Sequence, residues 1–175
     1  FLGHLLDKET LNRLALETEK LMHGNPSGID NTVIVYEQPI LFRKGEPIEF
    51  VYPSKNLHFL IADSGIKKAT ADTVAYLAQQ RERNPQLIEA ALAEIGNIAL
   101  FGRKAFEQGD LSALGEAMNA NQALLAQLDL SCEALEKLIV AARQAGALGA
   151  KLTGGGKGGN MLALVTPETQ ETVRK

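Results

Sequence analysis

The sequence predicts an α+β protein in two layers, with helices packed on an antiparallel sheet. Three observations lead to that class. Between residues 71 and 145, apolar residues recur at three- and four-residue spacing, the period of an α-helix. Short runs rich in β-branched and aromatic residues lie on either side, within residues 32–62 and 147–165. The order strand, several helices, strand pair is that of an α+β layer sandwich, and a ferredoxin-like variant fits it.

The first element is a helix from Lys8 to Met22, started by Asp7, whose carboxylate can accept from amides of the first turn. Leu11, Leu14, Ala15, Thr18, Leu21 and Met22 fall on one stripe, which is expected to be buried. The pattern breaks at His23-Gly24-Asn25-Pro26-Ser27-Gly28-Ile29-Asp30-Asn31, read as a loop of defined shape. Runs at Thr32–Tyr36, Ile40–Phe42 and Ile48–Tyr52 then read as an antiparallel meander. Pro53-Ser54-Lys55-Asn56 is the expected domain boundary, followed by a buried strand at His58–Ala62 and the turn Asp63-Ser64-Gly65.

Four helices should follow. The first runs from Ala71 to Glu82 with Thr70 as its cap. The second is capped by Asn84, has Pro85 at its first position and ends near Gly109. Asp110 and Ser131 read as caps of the next two, which end near Leu128 and Ala145. Leu87, Leu92 and Ile95 make an apolar helix face that either fills the core or packs on a second subunit, giving a homodimer. Two strands, Ala147–Leu152 and Asn160–Val165, flank a glycine-rich turn.

Composition bounds the function. The chain has 175 residues and a formal charge of −3, with 45% hydrophobic and 22% charged residues. That argues against wholesale disorder, and the acidic balance disfavours a nucleic-acid or anionic-membrane surface. No apolar stretch approaches the roughly 18–20 residues that span a bilayer. Cys132 stands alone, which excludes an internal disulfide and makes a reducing cytoplasm the default setting. His4, His23 and His58 lack zinc-ligand spacing. The chain opens on Phe1 and closes on Lys175 as a helical pattern begins, so it reads as a piece of a longer protein.

Three stretches could carry chemistry. Asp30 ends the shaped loop, where it can act as a general base towards a hydroxyl or simply cap a turn. Glu19 lies on the flank of the apolar stripe, one turn before the loop. It can hold Mg²⁺ shared with nucleotide phosphates, or pair with Lys20 or another neighbour. Lys151-Leu152-Thr153-Gly154-Gly155-Gly156-Lys157-Gly158-Gly159 leaves backbone amides open to a phosphate, or is a flexible hairpin. It lacks the Gly-Lys-Ser/Thr of a Walker loop. Lys67, Lys68 and Thr70 could meet an anionic substrate.

The stretch from His23 to Asn31, with Lys151-Leu152-Thr153-Gly154-Gly155-Gly156 about 120 residues on, resembles the mevalonate kinase family of the GHMP kinases. The similarity covers essentially the whole chain and corresponds to the C-terminal half or so of those enzymes. It implies a GHMP-kinase-like two-layer sandwich. Residues 1–56 would be a remnant of the N-terminal domain, and residues 57–175 a ferredoxin-like C-terminal domain. It also implies transfer of the γ-phosphoryl group of ATP to the 5-hydroxyl of mevalonate, a step of isoprenoid biosynthesis.

By that resemblance Asp30 matches the catalytic aspartate and Glu19 the Mg²⁺-binding glutamate. His23, Asn25 and Ser27 border the substrate pocket, Thr70 matches a threonine near the site, and Gly154–Gly159 forms the third family motif at the nucleotide phosphates. That motif usually reads Gly-Ala-Gly-Gly-Gly-Gly, often followed by Cys. Here Gly155, Lys157 and Asn160 depart from it. The family's Gly-Leu-Gly-Ser-Ser phosphate loop and N-terminal lysine are absent from the chain, which alone is expected not to be a competent kinase. The rival readings are another small-molecule GHMP kinase, for phosphomevalonate or homoserine, and a non-catalytic ligand-binding fragment.

Overall fold

The carboxylate of Asp7 accepts the Thr10 amide at 2.8 Å and starts the first helix, α1 (Lys8–His23). The structure is a computed structural model that describes residues 6–23, 26–67 and 70–175. The chain divides into two units, residues 1–52 and 53–175.

In the first unit, α1 packs against α2 (Ile29–Tyr36). The two run antiparallel: Lys8 Nζ donates to Tyr36 O at 3.1 Å near one end, and Asn12 meets Asn31 and Thr32 further along. The expected strand at Thr32–Tyr36 is therefore a helix. A strand alternates its burial, but the adjacent Asn31 and Thr32 are both buried while Val33 and Ile34 are both exposed. The polar contacts to α1 override the β-propensity of the valines and isoleucine. Thr32 Oγ1 also donates to Gly28 O at 2.6 Å, four residues back, a helical bond.

The stripe of α1 expected to be buried is not buried. Leu11, Leu14 and Leu21 are exposed, Leu21 at 87%, because the face turned to α2 is the Asn12 face. The meander shrinks to one hairpin of two-residue strands, β1 (Ile40–Leu41) and β2 (Glu49–Phe50), paired through Ile40 and Phe50. Tyr36 stacks edge-on against Phe50, with ring centroids 5.4 Å apart.

The second unit begins with β3 (His58–Asp63) and continues through α3 (Thr70–Arg83), α4 (Pro85–Gln108), α5 (Leu111–Gln127) and α6 (Glu133–Gln144). Then come β4 (Gly149–Leu152), β5 (Asn160–Val165) and the short α7 (Gln170–Arg174). The sheet order is β3-β5-β4, antiparallel throughout, with Ile61 and Lys151 both opposite Leu162. This is an α+β fold of helices on a small sheet.

Its core follows from helical spacing. Leu135, Ile139 and Ala142 of α6 pack on Ala150 and Leu152 of β4 and on Met161 and Ala163 of β5. A second cluster joins Ile88 to Leu128 and Leu130, with Leu92 and Ile95 packed against it, so those two residues of the α4 face fill the core while Leu87 is exposed. Truncating Leu135 or Ile139, both fully buried, costs about 2–5 kcal/mol in such settings.

Capping divides the expectations. Asp110 Oδ1 accepts the Ala113 amide at 3.0 Å as the cap of α5. Asn84 precedes Pro85 but makes no side-chain cap bond, and Thr70 lies inside α3 rather than before it. The residue before α6 is Cys132, and Ser131 instead accepts from Gln122 Nε2 at 3.2 Å. Ser131 fails as a cap because a buried amide on α5 claims its hydroxyl.

One device here has no sequence-motif signature. Strand β4 is an edge strand, and α5 lies along it. Gly115 and Gly149 touch backbone to backbone, since a Cβ on Gly149 would collide with the Gly115 carbonyl oxygen. Four and seven residues on, Asn119 Oδ1 accepts the Ala150 amide at 3.1 Å and Gln122 Oε1 the Leu152 amide at 2.8 Å. The helix supplies by side chain the hydrogen bonds that a neighbouring strand would have made.

Candidate active site

Gly28 closes the loop in the first unit. Its φ of +89° is a left-handed conformation that side chains resist, and it turns the chain directly into α2. The loop is thus shorter than expected. Asp30 stands exposed in the first turn of a helix, not where a loop meets a strand. Carboxylates are favoured there, because first-turn amides lack intrahelical partners.

The neighbours of Asp30 hold it. Asn31 Nδ2 donates to Asn12 Oδ1 at 2.5 Å and to Asn12 O at 3.3 Å, and Asn12 Nδ2 reaches Thr32 Oγ1 at 3.2 Å. Asn31 and Thr32 are 8% and 2% exposed. The exposed carboxylate therefore sits on a turn fixed by buried polar contacts on its two C-terminal neighbours. Asn31 closes the stretch picked out in the sequence, whereas Asn12 and Thr32 were given no site role there.

Glu19 is half-buried on α1. It lies about two helical turns beyond Asn12 on nearly the same face, hence on the side turned towards the loop. Lys20, the expected alternative partner, pairs with Glu17 at 2.7 Å. A cleft of about 440 Å³ opens beside the loop, lined by Pro26, Ser27 and Gly28, by Asn31 and Thr32, and by Leu16 and Lys20 of α1. Ser27 is thereby at a cavity, whereas Asp30 and Glu19 are not among its walls. Ser27 Oγ also accepts the Ile29 amide at 3.3 Å.

His23 ends α1. Its side chain, that of Thr70, and the whole of Gly24, Asn25 and Lys68 lie outside the described residues. Lys67 is exposed.

In the second unit the glycine-rich turn joins β4 to β5 and is tied on two sides. Lys157 N donates to Leu130 O at 2.8 Å, and Gly159 N to Ile66 O at 2.8 Å. Gly156 lies so close to Leu130 that a Cβ there would collide with the Leu130 carbonyl oxygen. The flexible hairpin expected as the alternative is thus anchored. Lys157 is not a spare cation: its Nζ lies 2.7 Å from Asp129 Oδ2 and 4.0 Å from the centroid of the Tyr76 ring. Tyr76 donates its hydroxyl to the same Asp129 oxygen at 2.8 Å. These contacts, Lys157 first and Tyr76 second, hold the Asp129 carboxyl below its usual value, while the bond to Asp129 raises the Tyr76 phenol.

The fold is similar to that of GHMP kinases, and residues 103–175 match the family of GHMP kinases C terminal. Within the class, the similarity is to mevalonate kinases. The chain is 37% identical over 163 residues to the mevalonate kinase of Aeropyrum pernix, covering 93% of this chain and 50% of that protein. It is 36% identical over 177 residues to that of Pyrococcus horikoshii, covering 97% and 52%. A crystal structure of L. major mevalonate kinase in complex with R-mevalonate superposes with a TM-score of 0.90 at 33% identity, over 97% of this chain and 53% of that one. The chain spans about half the length of the curated relatives it matches.

Proposed function

We propose that the protein containing this chain phosphorylates the 5-hydroxyl of mevalonate with ATP. The observation that carries the reading is Asp30, an exposed carboxylate in a helix first turn, fixed in place by Asn31 and Thr32. The similarity to mevalonate kinases across the chain supports it.

In this reaction Asp30 accepts the proton of the substrate hydroxyl. The hydroxyl oxygen bonds to the γ-phosphorus as the bond to the β,γ-bridging oxygen breaks, releasing ADP, and its proton passes to Asp30. Phosphoryl transfer needs little early activation of the nucleophile, so the main work of Asp30 is to orient the hydroxyl and take the proton late. The glycine turn receives nucleotide phosphates through its backbone amides. Ser27 contributes to the substrate pocket, and the proposal also assigns substrate roles to His23, Asn25 and Thr70.

Among the described residues no group of three His, Cys, Asp or Glu side chains forms a metal cage. A single carboxylate suits Mg²⁺, which keeps phosphate and water oxygens as its other ligands, and Glu19 is the residue that would hold it. Held there, the ion would offset charge on the nucleotide phosphates. No helix among the described residues is long and apolar enough to cross a membrane. A cytoplasmic site of action belongs to the proposal.

The test is a coupled ADP-release assay on the whole protein with Mg-ATP and, in turn, mevalonate, phosphomevalonate and homoserine. Turnover confined to mevalonate is the expected result. Preference for either other alcohol, or binding without ADP release, overturns it.

A further inference from the structure

We propose that Lys157 is a positioning residue, clamping the glycine turn through Asp129 and Tyr76, rather than a contact to the nucleotide. Its place in the phosphate turn suggests the opposite, since a cation there would ordinarily be assigned to a phosphate. The geometry explains why it is otherwise engaged. The ammonium stands on the ring face of Tyr76 and against Asp129 at once, and Tyr76 donates to that same carboxylate oxygen. Each partner thereby fixes the other two. The Lys157 side chain is only 25% exposed, although Asp129 is 66% exposed.

The backbone reinforces the point. Lys157 and Asp129 both adopt left-handed φ, +58° and +54°, values at which glycine is normally favoured. Asp129 lies just past the C-terminal end of α5 in that conformation, its amide bonding back to Ala126 O at 2.9 Å. Two non-glycine residues held in this region need compensation from elsewhere. Here the side chains that cause the strain are those that form the clamp. The clamp also lies beside the Lys157 N to Leu130 O bond, so it closes the turn onto the α5–α6 connection while Ile66 holds the far end at Gly159. A glycine at position 157 would relieve the backbone and lose the clamp.

The role assigned to the turn rests on the proposed function, but the clamp can be read independently of it. The experiment compares Lys157→Met, Lys157→Arg, Lys157→Gly, Asp129→Asn and the Lys157→Met/Asp129→Asn double variant. Amide hydrogen exchange at Lys157 and Gly159 is measured in each, with Mg-ATP and tripolyphosphate affinity as the second readout. Lys157→Met and Asp129→Asn should each speed exchange by about fivefold to tenfold, the size of an ion pair plus a cation–π contact. The double variant should be no faster than either single one, and Lys157→Arg should restore protection. Lys157→Gly should keep the thermal midpoint yet exchange as fast as Lys157→Met. In turnover, the KM for ATP should rise more than kcat falls.

Unchanged exchange in Lys157→Met and Asp129→Asn overturns the clamp. So does tighter polyphosphate binding in Asp129→Asn, which would mean that the freed ammonium is itself the phosphate ligand. A wild-type protein that shows the exchange pattern but does not phosphorylate mevalonate sinks the functional reading and leaves the clamp standing.

Discussion

Gln122 Oε1 accepts the backbone amide of Leu152 at 2.8 Å, one residue before the glycine turn begins its approach through Thr153. The other end of the same side chain donates to Glu136 at 2.7 Å and Ser131 at 3.2 Å. One buried amide thus ties the end of β4 to the start of α6. Gln122→Leu keeps the volume but strands the Leu152 N–H, and is expected to cost about 1–3 kcal/mol. Gln122→Glu keeps the acceptor, loses the donor and sets a second carboxylate against Glu136, so it should cost more at pH 7 than at pH 4. Urea midpoints at the two pH values check both.

The helices of the second unit were legible because their chemistry is local: Pro85 at a first turn, Asp110 at a cap, Leu135 and Ile139 four apart on α6. The β4–β5 pair was legible for the same reason. What escaped was set by partners distant in sequence. Thr32–Tyr36 has the composition of a strand, and only Asn12, about twenty residues earlier, makes it a helix. Ser131 has the chemistry of a cap until Gln122 claims it. Asp30 and the glycine turn could be picked out by residue type, yet the groups that hold them, Asn12 and the Asp129–Tyr76 pair, carry no motif of their own.

The Asn12–Asn31 contact yields a second prediction. Asn31 is 8% exposed and makes two bonds to Asn12, one to its side chain and one to its backbone. Asn31→Ala leaves the Asn12 carbonyl groups short of a donor in a half-buried setting, at a cost of about 1–3 kcal/mol. Because Asn31 adjoins Asp30, turnover should fall as well, with kcat affected more than KM. A variant that loses stability but keeps wild-type kcat would show that α2 is fixed for packing alone.

Lys151 supplies a pH dependence. Burial holds its ammonium below the ordinary 10.5, and Nζ donates to Leu152 O at 2.7 Å. A base whose folded value is lowered binds its proton less tightly in the native state than in the unfolded one. It therefore costs stability below the folded value, and that cost disappears as pH rises towards 10.5. Lys151→Met should raise the thermal midpoint at pH 7, and the gain should shrink on approaching pH 10. A gain that is flat with pH would place its origin in packing instead of charge.

Asp30 gives the sharpest separation of stability from activity. Its side chain is exposed, and the buried contacts of its turn belong to Asn31, Thr32 and Gly28. Asp30→Asn is isosteric and should leave the melting transition of the protein unchanged within about 0.5 kcal/mol, as expected of an exposed site. The amide can still donate to a substrate hydroxyl or accept from it, so mevalonate should bind with a similar KM. It cannot take the proton. A positioned base contributes about 10²–10⁴-fold, and kcat should fall by at least that factor. Steady-state rates and a denaturation curve on the same preparation decide it. A stable variant with near-normal turnover would remove the proton-accepting role from Asp30, and a variant that unfolds would show that the carboxylate serves the first turn of α2.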